Sequence, residues 1–584
     1  MKRKFDKHLD DLRRQMLMMP ELKTIKQLIN RARVMYGDRP QFIEKKGDER
    51  VVTTMREFTD DIDAVGTALL ELGLKGKHIA IIGENSVAWL EAFFGIVGGV
   101  GVAIPIDKEM TDEDISALLT KGDVSAVFVT KNYLKTARLH VKNDPRCKYV
   151  FTINKKVKDE NFIYMPDLIA RGRELVAAGD ISFISAETKP DDTAAILFTS
   201  GTTGPNKGVM LSNINFVSNT DGIIRTIMTE RTSMSFLPMN HAYELTCDIL
   251  TATYMNATIF VNDKIANFLP NLREFKPDAF GIVPLVTEEI YKGIWRGAEE
   301  KGQTEGLKKL IKLSNFLLDR GIDLRYYLFT SVRKQFGDQF PTFSCGGAPA
   351  RADYIRTLCD IGFNIYGGYG LTEATPTVSL NMEARAKPLS SGKPICMTQI
   401  RIDEPDENGI GEICIRGKNI TSGYYKDPAA TKASFDSDGW FRTGDYGRID
   451  PEDGDLYVTG RKKNLIVLDN GKNISPEDIE SFVMEHLDYI RDVVAIEAVK
   501  DIHGQQKKII AVVVYASTDD VPETTEEELT RRITDDIAAA DRELPSYKKI
   551  QDVFVTYEPF ELTTTLKPIR SKIVERYNAA RAAK

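Results

Sequence analysis

With 584 residues, 42% hydrophobic and 28% charged, the chain can fill more than one core. Its net charge of −7 and pI of about 5.7 exclude a dedicated nucleic-acid binder, which needs a basic face. Its six cysteines form no C-x-x-C pair and no Cys/His cluster of zinc spacing, and read as reduced, mostly buried thiols of a cytoplasmic protein. The first twenty residues start basic but lack the apolar run of a secretory signal. Leu9, Leu12, Met16 and Leu17 would share one side of a helix packed on the body, with peripheral contact at a membrane as the alternative. No uninterrupted apolar stretch reaches about 18 residues, so no membrane span is expected.

From about 51 to 130, helix and strand patterns alternate. Phe58, Ile62, Val65, Leu69 and Leu72 recur at helical spacing. His78–Ile82 is a short apolar run ended by Gly83 and predicts a buried strand. A helix over 88–97 and a strand over 102–106 follow. Thr111 and Asp114 form a capping-box-like pair opening a helix through Leu119, and 124–129 is again strand. Strands alternating with helices of this length predict a parallel sheet with crossover helices. Gly95, Gly98, Gly99 and Gly101 do not fit a dinucleotide loop and read as close helix–strand packing. After Arg401, short strands at 411–416, 455–458 and 465–468 lie between Gly- and Asp-rich turns and predict a small β-rich subdomain. A strand over 509–515 and a helix over 526–540 give the C-terminal part an α+β texture.

The chemistry concentrates in Leu197-Phe-Thr-Ser-Gly-Thr-Thr-Gly-Pro-Asn-Lys-Gly-Val209. An apolar strand runs into a loop of hydroxyls and glycines. Glycines let backbone N–H groups close around phosphate oxygens. The hydroxyls of Thr199, Ser200, Thr202 and Thr203 add donors, Gly201 and Gly204 the turns, and Lys207 a positive charge. It is not a P-loop, because no Gly-Lys pair in the chain is followed by Ser or Thr.

This loop resembles that of the adenylate-forming superfamily, which includes acyl-CoA synthetases, peptide-synthetase adenylation domains and luciferases. That family's pattern is roughly [ST]-S-G-[ST]-[TS]-G-x-P-K-G. Thr199 to Gly208 match it, except that Asn206 stands at the usual proline and Pro205 one earlier. Further motifs follow in the family's order. Tyr369-Gly370-Leu371-Thr372-Glu373 is similar to Y-G-x-T-E, and the resemblance implies catalytic roles for Thr372, at the α-phosphate, and Glu373. It also implies that Mg²⁺ is held at Glu373 and Thr203, and a carboxylate oxygen suits a hard cation bridging phosphates. Gly346, Gly347 and Ala348 resemble the segment lining the adenine pocket. Asp445, in Gly439-Trp-Phe-Arg-Thr-Gly-Asp445, would accept from both ribose hydroxyls. Gly460-Arg-Lys-Lys-Asn464 resembles the domain hinge, with Arg461 at ribose and Lys463 as pivot, and Lys567, in Thr563-Thr-Thr-Leu-Lys567, stands at the catalytic lysine.

The resemblance implies an α/β fold. A large N-terminal body of parallel-sheet subdomains plus the β-rich subdomain spans 1–459, a hinge 460–464, and a small mobile α+β domain 465–584. It also implies activation of a carboxylic acid by ATP as acyl-AMP, then transfer to a thiol. Leu237-Pro-Met-Asn-His241-Ala-Tyr-Glu244 resembles L-P-x-x-H-x-x-E of long-chain fatty acyl-CoA synthetases, which points to a medium- or long-chain fatty acid and CoA, with His241 adjacent to the substrate. Two alternatives are an acyl-AMP ligase loading a carrier-protein phosphopantetheine, and a non-catalytic nucleotide or acyl sensor. The presence of Lys567, Glu373 and the hydroxyl loop argues against the sensor.

Overall fold

The computed structural model describes residues 21–47, 49–199, 206–227, 232–262, 264, 267–348, 350–468, 473–502, 505–562 and 568–582. The N-terminal amphipathic stretch therefore lies outside the described residues. Packing divides the described chain into two compact units. One holds 21–199, 206–400 and 415–441; the other holds 401–414 and 442–582.

Local signals open the elements of the first unit. The Thr54 hydroxyl accepts from the Glu57 N–H at 3.2 Å and the Glu57 carboxylate accepts from the Thr54 N–H at 2.8 Å, starting the helix Met55–Glu71. Its Phe58, Ile62, Val65 and Leu69 are all buried. Thr111 opens the helix Asp112–Lys121 by accepting from the Asp114 N–H at 3.2 Å. The strands His78–Ile82 and Val124–Val129 are apolar almost throughout because helices cover both faces of their sheet.

That sheet has eight strands. Thr193–Thr199, Val102–Pro105, His78–Ile82, Val124–Val129, Tyr149–Thr152 and the edge strand Phe162–Tyr164 are parallel neighbours in this order. Lys207–Ser212 pairs antiparallel with Thr193–Thr199, and Gly423–Tyr424 antiparallel with Lys207–Ser212. A second sheet has nine strands, with a parallel run of Asn364–Gly370, Thr342–Cys345, Ala279–Ile282, Thr232–Ser235, Thr258–Val261 and Pro40–Lys46. Thr377–Asn381 and then the edge strand Lys393–Pro394 follow on one side and Glu49–Thr54 on the other, each antiparallel to its neighbour.

The glycine run at 95–101 packs closely, but not in the way helix–strand packing implies. A Cβ on Gly95 would lie 2.7 Å from Val65 on a neighbouring helix, and one on Gly98 2.6 Å from the Phe183 ring. One on Gly101 would meet the Lys77 carbonyl oxygen at 2.0 Å. The contacts are thus mainly to a helix and to a loop aromatic. Among the cysteines, Cys147, Cys345, Cys359 and Cys414 are buried thiols, Cys247 is half-buried and Cys396 is exposed.

The second unit contains the antiparallel pairing of 445–449 with 456–461. It also contains a three-stranded sheet in which Gln505–Tyr515 lies between Asp492–Ile502 and Ile550–Thr556. The helices Pro476–His486 and Glu526–Ala540 bury Ile479, Val483, Leu529, Ile533 and Ile537 against this sheet. The helix Arg570–Ala582 buries Ile573 and Tyr577 in a second cluster. Among the described residues, no helix is long and apolar enough to cross a membrane.

In the first unit, Glu244–Leu250 is wound as a π-helix, a local widening that often marks functional segments. It buries two acids, Glu244 at 0% and Asp248 at 5% exposure. Glu244 Oε2 accepts from the Leu237 N–H at 3.1 Å and Asp248 Oδ1 from the Gly281 N–H at 2.9 Å. No cation pairs with either among the described residues. Burial, and for Glu244 the neighbouring Asp248, hold both carboxyls above the usual carboxylate range. The fold thus keeps a proton that the unfolded chain releases. The resulting stability is fully present below the unfolded carboxylate value of about 4.3 and is lost as pH rises through the raised folded value. Glu244→Gln, a permanently neutral near-isostere, should narrow the fall in thermal midpoint between about pH 6 and about pH 9. An unchanged fall, measured by calorimetry, would mean that Glu244 is ionised in the fold.

Candidate active site

In open α/β sheets the carboxyl ends of parallel strands present loops and free backbone groups, and ligands gather there. In the first unit the candidate motifs leave their strands at those ends. Thr193–Thr199 ends at Thr199 and leads into the hydroxyl loop. Thr232–Ser235 leads to His241, Thr342–Cys345 to Gly346, Gly347 and Ala348, and Asn364–Gly370 to Leu371, Thr372 and Glu373. Side chains tie these ends together. Asn85, just past the strand His78–Ile82, donates to the Leu237 carbonyl at 2.7 Å and accepts from the Met239 N–H at 3.1 Å. Tyr243 donates to the Ser344 carbonyl at 2.7 Å, beside Gly346. Gly347 has φ +88°, a left-handed conformation that favours glycine.

His241 Nε2 lies 4.0 Å from Asp107 Oδ2, beyond hydrogen-bond reach. Although 32% of its side chain is exposed, the crowding of protein around the ring lowers its pKa, with Asp107 acting in opposition. The ring is neutral at neutral pH, which suits a wall group better than a phosphate-binding cation.

Glu373 sits in a short 3-10 turn, Thr372–Ala374, after the strand that carries Tyr369 and Gly370. A Cβ on Gly370 would meet the Pro376 carbonyl oxygen at 2.2 Å, so glycine is required there. Two asparagines from distant segments hold the turn. Asn219 donates to the carbonyls of Ala374 and Thr377 at 3.0 and 2.8 Å, and Asn419 donates to the same two at 3.1 and 3.2 Å. Thr421 N–H donates to the Glu373 carbonyl at 2.8 Å.

Tyr424 completes the arrangement. Its hydroxyl donates to Glu373 Oε1 at 2.8 Å, and Lys207 Nζ stands 4.7 Å from its ring centroid. Burial, with Glu373 beside it, pushes the Tyr424 phenol well above its ordinary value, so it stays a donor. One side chain therefore touches both the lysine of the phosphate loop and the acid of the metal motif. Among the described residues no hydrogen bond or ion pair reaches Glu373 Oε2. No group of three or more His, Cys, Asp and Glu side chains is gathered as a metal site among them. A single free carboxylate oxygen nevertheless fits Mg²⁺, which takes one or two carboxylates and fills its shell with phosphates and water.

The second unit positions the remaining motifs. Asp445, 6% exposed, is paired in register with Arg461, whose Nε lies 3.2 Å from Asp445 Oδ1. The Asp445 N–H donates to Thr443 Oγ1 at 3.0 Å. Glu412, 6% exposed, accepts from the Gly444 N–H at 3.2 Å and from Lys462 Nζ at 2.9 Å. Lys463 lies in the 3-10 turn Lys462–Asn464. Asn464 donates to Glu477 at 3.4 Å, and a Cβ on Gly460 would come within 2.6 Å of the Glu477 and Ser475 side chains.

Ser200, Gly201, Thr202, Thr203, Gly204 and Lys567 lie outside the described residues. On either side of 563–567, Leu562 and Pro568 pair as an isolated antiparallel bridge. Arg570 anchors the following helix: it lies 2.7 Å from Glu480 and donates to the Ala495 carbonyl at 2.9 Å. Burial raises the Glu480 carboxyl to about 7 despite Arg570. Asn219, Asn419, Tyr424, Glu412 and Arg570 were not singled out from the sequence. The one local signal was the glycine at 423, where φ is +135° and a Cβ would strike Thr431 at 2.4 Å.

Comparison with known proteins fits this arrangement. The family model for AMP-binding enzymes matches residues 29–425, and that for the AMP-binding enzyme C-terminal domain matches 463–580. The chain belongs to the AMP-binding, adenylate-forming enzyme superfamily. It is 28% identical to long-chain-fatty-acid–CoA ligase ACSBG2 of Xenopus laevis, over 84% of this chain and 69% of that protein. It is also 28% identical to human long-chain-fatty-acid–CoA ligase 1, over 72% of this chain and 64% of that protein. The fold is similar to that of ATP-bound MatB from Rhodopseudomonas palustris, with a TM-score of 0.75 at 21% identity over 94% of this chain and 99% of that one. A Mycobacterium tuberculosis fatty acyl CoA synthetase gives a TM-score of 0.65 at 21% identity, over 96% and 99% of the two chains.

The paired asparagines generate a prediction. Each donates to the same two carbonyls, so Asn219→Ala or Asn419→Ala should cost only about 0.5–1.5 kcal/mol, with the other amide still covering both oxygens. The double variant should lose more than the sum of the two, because the carbonyls are then orphaned. Denaturant titrations of all four proteins give the cycle, and strict additivity would mean that the two amides do not share the turn.

Proposed function

We propose that this protein is an AMP-forming fatty acid–CoA ligase, acting on a medium- or long-chain acid. The observation that carries the reading is Tyr424, which brings Lys207 and Glu373 to one place at the carboxyl edge of the sheets. The names of the relatives support CoA as the thiol and a long-chain acid as the substrate.

In the first step the acid's carboxylate oxygen attacks the α-phosphorus of ATP, the bond to the bridging oxygen breaks, and pyrophosphate leaves. A carboxylate is already a nucleophile, so no general base is needed. The obstacle is the approach of an anion to a polyanion. Lys207, the hydroxyls and N–H groups of 199–204, Thr372 at the α-phosphate and Lys567 offset that charge. Glu373 and Thr203 would hold Mg²⁺, which supplies further charge neutralisation at the phosphates. Gly346, Gly347 and Ala348 line the adenine site, with Tyr369, Gly370 and Leu371 beside the phosphates, and Asp445 with Arg461 takes the ribose hydroxyls. Neutral His241 stands by the acyl group. In the second step a pantetheine thiolate attacks the acyl carbonyl carbon and AMP departs, after a change of conformation at Lys463.

The test is pyrophosphate release with acids from acetate to palmitate, with and without CoA. Release that depends on one chain-length class and ends in acyl-CoA supports the ligase. An adenylate that forms but stalls with CoA would replace CoA by a carrier protein, and no release with any acid would remove the enzymatic reading. The two lysines should separate the half-reactions. Lys567→Ala should lower adenylate formation by about 100- to 1,000-fold, the scale of one lost charge-stabilising donor, while sparing thioester formation from supplied acyl-AMP. Lys463→Pro should do the reverse. Equal loss in both half-reactions for either variant, measured by single turnover, would remove that residue's role.

A further inference from the structure

The helix Thr304–Leu318 has two dissimilar faces, neither of them used by the chemistry above. On one, Leu307, Leu310 and Ile311 pack against the core of the nine-stranded sheet, and Ser314 is its one fully buried residue. On the other, Lys309, Lys312, Leu313 and Phe316 follow at intervals of three and four, so they share one exposed stripe. Leu313 is 48% and Phe316 53% exposed. Apolar exposure continues past the helix end: after the turn at Gly321, Ile322 is 47% and Tyr327 68% exposed.

The charges around these side chains are predominantly basic. Residues 301–334 hold eight Lys and Arg against three Asp and Glu, in a chain whose net charge is −7. Lys308 pairs with Glu305 at 3.0 Å, but Lys309 and Lys312 have no acidic partner among the described residues. Arg320 lies over the Phe316 ring at 3.5 Å and donates to its carbonyl at 3.0 Å, keeping the guanidinium beside the exposed ring.

We propose that the outer face of Thr304–Leu318, with the segment through Tyr327, docks on an anionic phospholipid bilayer. Leucine, isoleucine and phenylalanine enter the acyl boundary, tyrosine sits at headgroup depth, and unpaired lysines meet lipid phosphates. The charge complementarity selects an anionic surface over a neutral one. Lysine stems flanking apolar side chains reach headgroups while the apolar atoms stay below them. The surface is defined without reference to the acid that the enzyme activates.

The experiment is sedimentation of the full chain with phosphatidylcholine vesicles, with and without about 30% phosphatidylserine, at low and high salt. The wild-type chain should pellet with the phosphatidylserine vesicles and be released by salt. Two double variants, Leu313→Ser with Phe316→Ser and Lys309→Glu with Lys312→Glu, should each weaken partition about tenfold or more with unchanged thermal midpoints. Three results would overturn the proposal: wild type left in the supernatant, variants that pellet like wild type, or wild-type self-association without lipid that the variants abolish. The last would assign the face to a second copy of the chain. None of these readouts involves turnover, so they stand or fall apart from the ligase reading.

Discussion

The hydrogen bond from Tyr424 to Glu373 depends on three separate pieces of backbone being held in register. Gly423–Tyr424 pairs with the strand that begins at Lys207, Tyr424 lying opposite Val209. Thr421 donates through its hydroxyl to the Met210 carbonyl at 2.6 Å and through its N–H to the Glu373 carbonyl at 2.8 Å. Four residues thus strap the edge of one sheet to the turn that leaves the other. A side chain at 423 would strike Thr431, so the strap passes only with glycine there. The site is positioned by the ends of rigid strands and by this strap, which confines the reacting groups at little entropic cost.

Much of this was legible in the sequence, for reasons that differ from part to part. The strands at 78–82 and 124–129 and the helix at 526–540 fall at the expected residues. Periodicity and capping are local signals, and burial follows them. The turn that holds Glu373 was legible as a motif but not as a mechanism. Asn219, Asn419 and Tyr424 come from segments up to 155 residues away, and an asparagine with two carbonyl partners looks in sequence like any other asparagine. Glu412 is hidden in the same way, since the apolar run Ile413-Cys414-Ile415 beside it announces only a strand. The glycines at 95–101 did announce close packing, but composition does not say whether the neighbour is a helix, a strand or a loop aromatic.

Two kinds of carboxyl in the first unit differ in their surroundings. Glu244 and Asp248 are buried, each accepts a backbone N–H, and no cation pairs with either among the described residues. Burial there favours the neutral acid, which turns them into hydrogen-bonding wall groups of the π-helix. Glu373 is only half-buried and receives a donor from a neutral phenol. A phenol stabilises a carboxylate without cancelling its charge, as a lysine or arginine would.

The same logic explains why an aromatic ring stands beside Lys207. Lysine and glutamate motifs brought to one place would gain by pairing with each other. A pair so formed would be neutral, and binding a phosphate or a cation would first require breaking it. Instead Lys207 meets the face of Tyr424, while the hydroxyl of the same residue meets Glu373. A cation over a ring keeps its full charge, at a gain of about 0.5–1 kcal/mol where solvent has access. Both charges therefore remain available to ligands of opposite sign, at positions fixed before any ligand arrives. Electrostatic catalysis requires that arrangement, since dipoles and charges that need no reorganisation stabilise a developing charge most.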